Sequence, residues 1–264
     1  MIMPKSSDLM HQGLLPAQRL RWVHVDVCDT ARMLARNHLC GPATSLVLAE
    51  ALSGVALLGS ELAQPDAVVS LRLQSTGPVG GLLVECSREG ALRGYTRTKI
   101  LNDFDALEVI HSEAVLGARA EAWIVRSLPG HIVSQAALAV EPASIKGVVE
   151  SFYVRSLQRR AFVVMSCLPY EGYMDLARAV LVECMPDGDR RAFEALRGRV
   201  DDGSLLEALE AAPGVAAFWS EMGVRDCGLK DRRPLHFACR CSRERAGNML
   251  AMMTVRELEE MART

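Results

Sequence analysis

Apolar and polar positions alternate through Arg21-Trp22-Val23-His24-Val25-Asp26-Val27, the period-two pattern of a strand with unlike faces. Asp29 or Thr30 then stands where a short helix through Asn37 needs its cap. A second helix, capped by Thr44 or Ser45 and running to about Leu62, carries Leu46, Leu48, Ala49, Leu52, Val55, Ala56 and Leu58 over much of its surface. Such a helix belongs at the centre of a core. From Ala67 the period returns to two, with Val69, Leu71 and Leu73 on one face and Ser70, Arg72 and Gln74 on the other. The turn Gly77-Pro78-Val79-Gly80-Gly81, a strand from Leu82 to Cys86, the turn Ser87-Arg88-Glu89-Gly90 and a strand from Ala91 to Thr98 complete an antiparallel meander. The segments Ala122 to Ser127 and Ile132 to Val140 flank Pro129-Gly130 as a further hairpin. Pro142 suits the first turn of a helix striped by Ile145, Val148, Val149, Phe152 and Tyr153, and Ala161 to Leu168 and Ala177 to Met185 are two more strands. Residues 99–118 alternate only weakly, and residues 1–18 show no period, so a loose tail is expected there.

The class predicted is α+β, an antiparallel sheet with packed helices, followed by a helical middle segment. Composition shifts at Pro186-Asp187-Gly188, after which Arg190 to Met222 is helical and highly charged. The expected division is a tail over 1–18, a core domain over 19–186, a helical linker over 187–226 and a small C-terminal domain over 227–264. With 264 residues and 50% hydrophobic content the chain can bury a sizeable core. A net charge of only -2 argues against nucleic acid or a membrane surface as partner. The N-terminus lacks an apolar signal-type core, and Glu50 and Glu61 interrupt the longest apolar stretch, so the expected location is cytoplasmic.

Eight cysteines are scattered through apolar segments, where most are expected as reduced, buried small hydrophobes. Cys239 and Cys241 differ. In Leu235-His236-Phe237-Ala238-Cys239-Arg240-Cys241-Ser242 an extended backbone points both sulfurs to one side, toward a shared metal ion or a mutual disulfide. The disulfide requires bending, because Cα atoms two residues apart on a flat strand are separated by about 6.6 Å. Ser242 can cap the helix that follows, and Arg240, Arg243 and Arg245 favour thiolate at Cys241. His24, His38, His111 and His131 stand alone and are expected to be structural, whereas Cys227 and His236 flank the cysteine pair. No H-E-x-x-H, G-x-S-x-G or phosphate-loop pattern occurs, so an enzyme is not expected.

The signature Cys239-Arg240-Cys241-Ser242-Arg243-Glu244-Arg245 resembles the start of the zinc-binding redox switch of the 33-kDa heat-shock chaperone family. Val25-Asp26-Val27, Leu48-Ala49-Glu50-Ala51-Leu52, Leu71-Arg72-Leu73-Gln74, Arg93-Gly94-Tyr95 and Val180-Leu181-Val182-Glu183-Cys184-Met185-Pro186 resemble its landmarks in order. The resemblance implies an ATP-independent holdase that binds unfolding client proteins, with residues 227–264 as a redox-switch remnant. It also implies zinc held by four cysteine thiolates and released on oxidation, with Cys239 and Cys241 as metal-binding and redox-active residues.

Two departures stand out. The family's second cysteine pair, a C-x-x-C beyond the helix from Thr254 to Met261, does not occur in these 264 residues, and Ser156-Leu157-Gln158 lacks the usual acidic middle residue. Structural zinc takes four ligands, so Cys227 and His236 would have to complete the site, or two chains would have to pool their pairs as a homodimer. The expectation is a holdase whose zinc and disulfide control is weakened or lost. The alternatives are a thiol-disulfide oxidoreductase attacking through Cys241 and resolving through Cys239 or Cys227, and a degenerate relative that only associates with partners.

Overall fold

The computed structural model describes residues 7–170, 173–239 and 242–263. One sheet contains β1 (Leu9–Leu15), β2 (Leu20–Asp26), β8 (Arg160–Tyr170), β9 (Tyr173–Cys184) and β10 (Leu229–Pro234), in the order β10-β1-β2-β9-β8 and antiparallel throughout. The other contains β3 (Val68–Ser75), β4 (Gly81–Ser87), β5 (Ala91–Thr96), β6 (Ala120–Leu128), β7 (His131–Val140) and β11 (His236–Phe237). Its order is β11-β5-β4-β3-β6-β7, antiparallel except for β11 on β5. The fold is α+β.

Both sheets pack on α2 (Pro42–Gly59), of whose residues only Pro42, Ser45 and Glu50 are not fully buried. By length and composition this helix could cross a membrane, and the fold buries it instead. Its N-terminal amides are satisfied from a distance. Asp105, the last residue of the short α3 (Asn102–Asp105), accepts from the Ala43 amide at 2.8 Å, whereas the sequence points to Thr44 or Ser45 as cap. The Thr44 hydroxyl donates to the Lys99 carbonyl at 2.5 Å. Together with α4 (Ser112–Leu116), α3 gives structure to the segment whose alternation is weak.

A second helical layer covers the outer face of the first sheet. From α6 (Arg190–Asp201), α7 (Ser204–Ala211) and α8 (Val215–Glu221), Phe193, Leu205, Leu209, Phe218 and Trp219 bury against Trp22, Phe162, Val164, Val180 and Val182. The Trp22 and Trp219 rings lie 5.6 Å apart, and those of Phe162 and Phe193 5.3 Å. Strands β2, β8 and β9 thus have apolar residues on both faces, which explains their near-continuous apolar runs.

Three expectations need correction. The tail expected over 1–18 contains β1, paired with β2 from Leu9↔Asp26 to Leu15↔Leu20, because Met10 and Leu15 reach the core. The first helix, α1 (Cys28–Asn37), is capped by Asp8, whose carboxylate accepts from the amides of Asp29 at 2.9 Å and Thr30 at 2.7 Å. The helix expected from Pro142 begins later, at α5 (Ile145–Ser151), where Ser144 accepts from the Gly147 amide at 3.0 Å. It continues as a π-helical turn over Phe152–Ser156.

His24 does not stand alone either. The β1–β2 register sets His11 opposite it, with ring centroids 6.1 Å apart, and Phe218 covers it from α8. Burial, with the charges of His11 and Arg178, pushes its pKa down to about 3. The unfolded chain therefore takes up this proton first, and stability is lost as pH falls below the ordinary histidine value toward that of the folded state. Between pH 7 and pH 5 His24 alone should remove about 2 kcal/mol. Asp8, raised to about 6 chiefly by burial, works in the opposite direction. Urea unfolding of His24→Phe at both pH values should show that much less acid sensitivity than the parent, and equal sensitivity would refute the assignment.

Candidate functional site

The C-terminal stretch is tied to both sheets before it reaches its cysteines. β10 pairs with β1 from Leu9↔Pro234 to Gly13↔Leu229. Leu235 is fully buried and donates its amide to the Asp8 carbonyl at 2.9 Å. His236 then donates to the Gly90 carbonyl at 3.0 Å and Ala238 to that of Leu92 at 3.0 Å, completing β11 against β5. The crossing is tight. Gly90 has φ +88°, and a Cβ there would stand 2.0 Å from the Pro234 carbonyl oxygen, so only glycine admits the strand. Arg233, buried in β10, donates through Nη1 to the Gly59 carbonyl at 3.1 Å, placing a cation at the negative end of α2.

Cys239 emerges exposed from this anchor and lines a cavity of about 250 Å³ with His38, Tyr95 and Phe237. Glu85 and Arg93, an ion pair, form another part of the wall, and Lys99 Nζ lies 5.6 Å from the Tyr95 ring centre. His38 is expected to stand alone, yet the fold brings it to the same cavity as Cys239. The only sequence signal for this neighbourhood is the Arg93-Gly94-Tyr95 landmark. Cys241 and Arg240 lie outside the described residues.

Beyond Ser242 the chain forms α9 (Arg243–Ala251) and α10 (Val255–Arg263). Thr254 and Glu257 make a reciprocal cap: the Thr254 amide donates to Glu257 Oε2 at 2.8 Å, and the Glu257 amide to Thr254 Oγ1 at 3.3 Å. The Thr254 amide and hydroxyl, both donating to Glu257 Oε2 at 2.8 Å, hold the Glu257 carboxyl below its ordinary pKa. Among the described residues of α10 none is buried. Met252 is 80% exposed, Val255 73% and Met249 66%, and Leu250 and Met261 are also exposed. Exposed apolar side chains gathered like this mark a candidate contact surface.

A metal fits the described residues poorly. Cys227 is half-buried against the α6–α8 layer, where its carbonyl accepts from Trp22 Nε1 at 2.6 Å. His236 is exposed on β11. These two and Cys239 do not form a metal-holding group, and no three His, Cys, Asp or Glu side chains among the described residues do so. Among the described residues Cys227, His236 and Cys239 are not brought together, and Cys241 lies outside them.

The sequence model of the family described as Hsp33 protein matches residues 8–264. The chain belongs to the Hsp33 family. Among curated Hsp33 relatives, a 33 kDa chaperonin of Thermus thermophilus is 28% identical over 270 residues, 95% of this chain and 77% of the relative. That of Symbiobacterium thermophilum is 28% identical over 228 residues, 84% of this chain and 77% of its own. A crystal structure of the 33 kDa chaperonin, a heat shock protein 33 homologue from Thermotoga maritima, superposes with a TM-score of 0.70 at 18% identity. That likeness covers 97% of this chain and 88% of the other and establishes a shared Hsp33 fold. The family is one of chaperones, so the chain is placed among chaperones.

The core thiols are set apart from Cys239. Cys86 and Cys167 are buried; burial pushes the Cys86 thiol up to about 12 and holds that of Cys167 well above its usual range. Their thiolate populations near neutral pH are correspondingly small. Brief alkylation of the native protein followed by peptide mass spectrometry should modify Cys239 at least about a hundredfold faster than Cys86 or Cys167. Comparable rates would mean that the sheet anchor opens readily.

Proposed function

We propose that this chain is an ATP-independent holdase that binds unfolding client proteins in the cytoplasm, with zinc and disulfide control weakened or lost. The observation that carries this reading is the exposure of Met249 on α9, Met252 in the turn after it, and Val255 and Met261 on α10, all beyond a stretch fastened to both sheets through β10 and β11. Methionine side chains adapt to irregular apolar surfaces and so suit partners of varied shape. In this reading α6 to α8 act as a linker layer docked on the first sheet, and residues 242–263 are the part that engages clients.

Weakened control rests on the cysteine inventory. None of the eight cysteines forms a C-x-x-C, and Cys239 with Cys241 offers two thiolates where structural zinc takes four ligands. Pairing of two chains around one ion is the arrangement that would supply four.

Client aggregation followed by light scattering on heating, without ATP, should slow at least about twofold in the presence of the protein. The triple variant Met249→Ser/Met252→Ser/Val255→Ser should lose most of that protection. Failure of both reduced and peroxide-treated preparations to protect would end the holdase reading. Zinc per reduced chain should be at most about one half, and peroxide should change client holding by less than about twofold. A full zinc per chain, released on oxidation with a gain in holding, would overturn the claim of weakened control.

A further inference from the structure

We propose that an arginine-lined cavity at the start of β8 binds a small, multiply charged phosphate anion. The cavity, about 440 Å³, is walled by Arg21, Gln158, Arg159, Arg160, Glu183 and Arg190 among others. That volume is within the range of about 300–1,000 Å³ typical of small-molecule sites. Its wall includes part of the stretch in which Ser156-Leu157-Gln158 departs from the family pattern, now continued by two arginines. Gln158 takes the left-handed conformation at φ +56°, and the Arg159 amide donates to the Tyr153 carbonyl at 2.9 Å. This turn sets Gln158, Arg159 and Arg160 along the cavity wall.

The charges in the cavity do not cancel. Arg21 donates through Nη1 to Glu61 at 2.7 Å and to Glu183 at 3.0 Å, and through Nη2 to Ser60 Oγ at 2.9 Å. Arg159 donates to the second oxygen of Glu61 at 2.9 Å and lies 3.6 Å from Glu183, while Tyr153 donates to Glu61 at 3.1 Å. Two carboxylates thereby match two guanidiniums. Arg160 and Arg190, both exposed at the rim, have no ion pair among the described residues. The neighbouring acids are engaged elsewhere: Asp187 pairs with Arg19, and Asp189 accepts from the amides of Arg191 at 2.9 Å and Ala192 at 3.1 Å. Arg190, Arg160, Asp189 and Glu194 all act on the Cys184 thiol, so both acids stand near the rim, but neither makes an ion pair with Arg160 or Arg190 among the described residues.

Two unmatched guanidiniums on the rim of a cavity whose floor is already neutral form a receptor for an anion with more than one charge. Arginine suits phosphate oxygens because its planar fork donates two parallel hydrogen bonds. The site uses none of the residues at the Cys239 cavity, so its failure would leave the holdase reading untouched.

Isothermal titration with inorganic tripolyphosphate, and separately with ADP, tests the assignment on the full chain. Saturable binding of one ligand per chain is expected, at least about tenfold weaker in Arg160→Ala/Arg190→Ala and about threefold weaker in Arg190→Ala alone. Arg197→Ala/Arg256→Ala, which removes the same charge elsewhere, should bind within about twofold of the parent. Equal affinity for the two ligands would show that the phosphate chain alone is read, and tighter binding of ADP would identify nucleotide phosphates as the ligand; both uphold the site. No saturable binding, or equal weakening in the control, would overturn it.

Discussion

A helix that is apolar on nearly every side can be stable in water only if something covers every side, and α2 imposes that condition on the whole molecule. Two sheets and the helices beside them meet it. Sheet residues such as Val84 and Leu181, and Val148 of α5, are buried in the same cluster as the helix. Its termini carry a second demand, since the end amides and carbonyls of a buried helix also need partners. Asp105 serves one end and Arg233 the other, and the two lie far apart in the chain.

Just past the C-terminal end of α2 the polar groups gather. Glu61 takes hydrogen bonds from Arg21, Arg159 and Tyr153, drawing β2, β8 and the π-helical turn to one point. Its carboxyl is exposed on only 11% of its side-chain surface, and buried charge of this kind is tolerated only when fully paired. Arg233 comes to the same helix end from β10 and, together with the β10–β1 and β11–β5 pairings, fixes the course of the C-terminal stretch as far as Cys239. The apolar side chains exposed on α9 and α10 thus come after a stretch that is fixed to both sheets.

Much of this was legible in the chain. The meander from Ala67 to Thr98, the hairpin around Pro129-Gly130 and the central position of α2 follow from period and turn chemistry, which are local. What was not legible is set by distant residues. β1 reads as a tail because its partners are β2 and β10, the latter from the far end of the sequence. Asp8 and Asp105 cap helices they do not adjoin in the chain, so inspection of the flanking residues names the wrong caps. Of the candidate site, Cys239 was visible as a motif, but its neighbours His38, Tyr95 and Phe237 converge only through the parallel pairing of β11 with β5. Nothing in the linear order relates Arg160 to Arg190, which meet only at the cavity.

The pairing of Leu9 with Pro234 has a bearing on how the protein is made. One edge of β1 has no partner until residues 229–234 have left the ribosome. At about 5–20 residues per second, that interval is on the order of tens of seconds. In the last part of it, once β9 has joined the sheet, the nascent chain carries an open strand edge next to a largely assembled core, the condition in which unfinished proteins associate wrongly. A protein of the chaperone class thus passes through its own synthesis in need of the kind of protection its family gives to others.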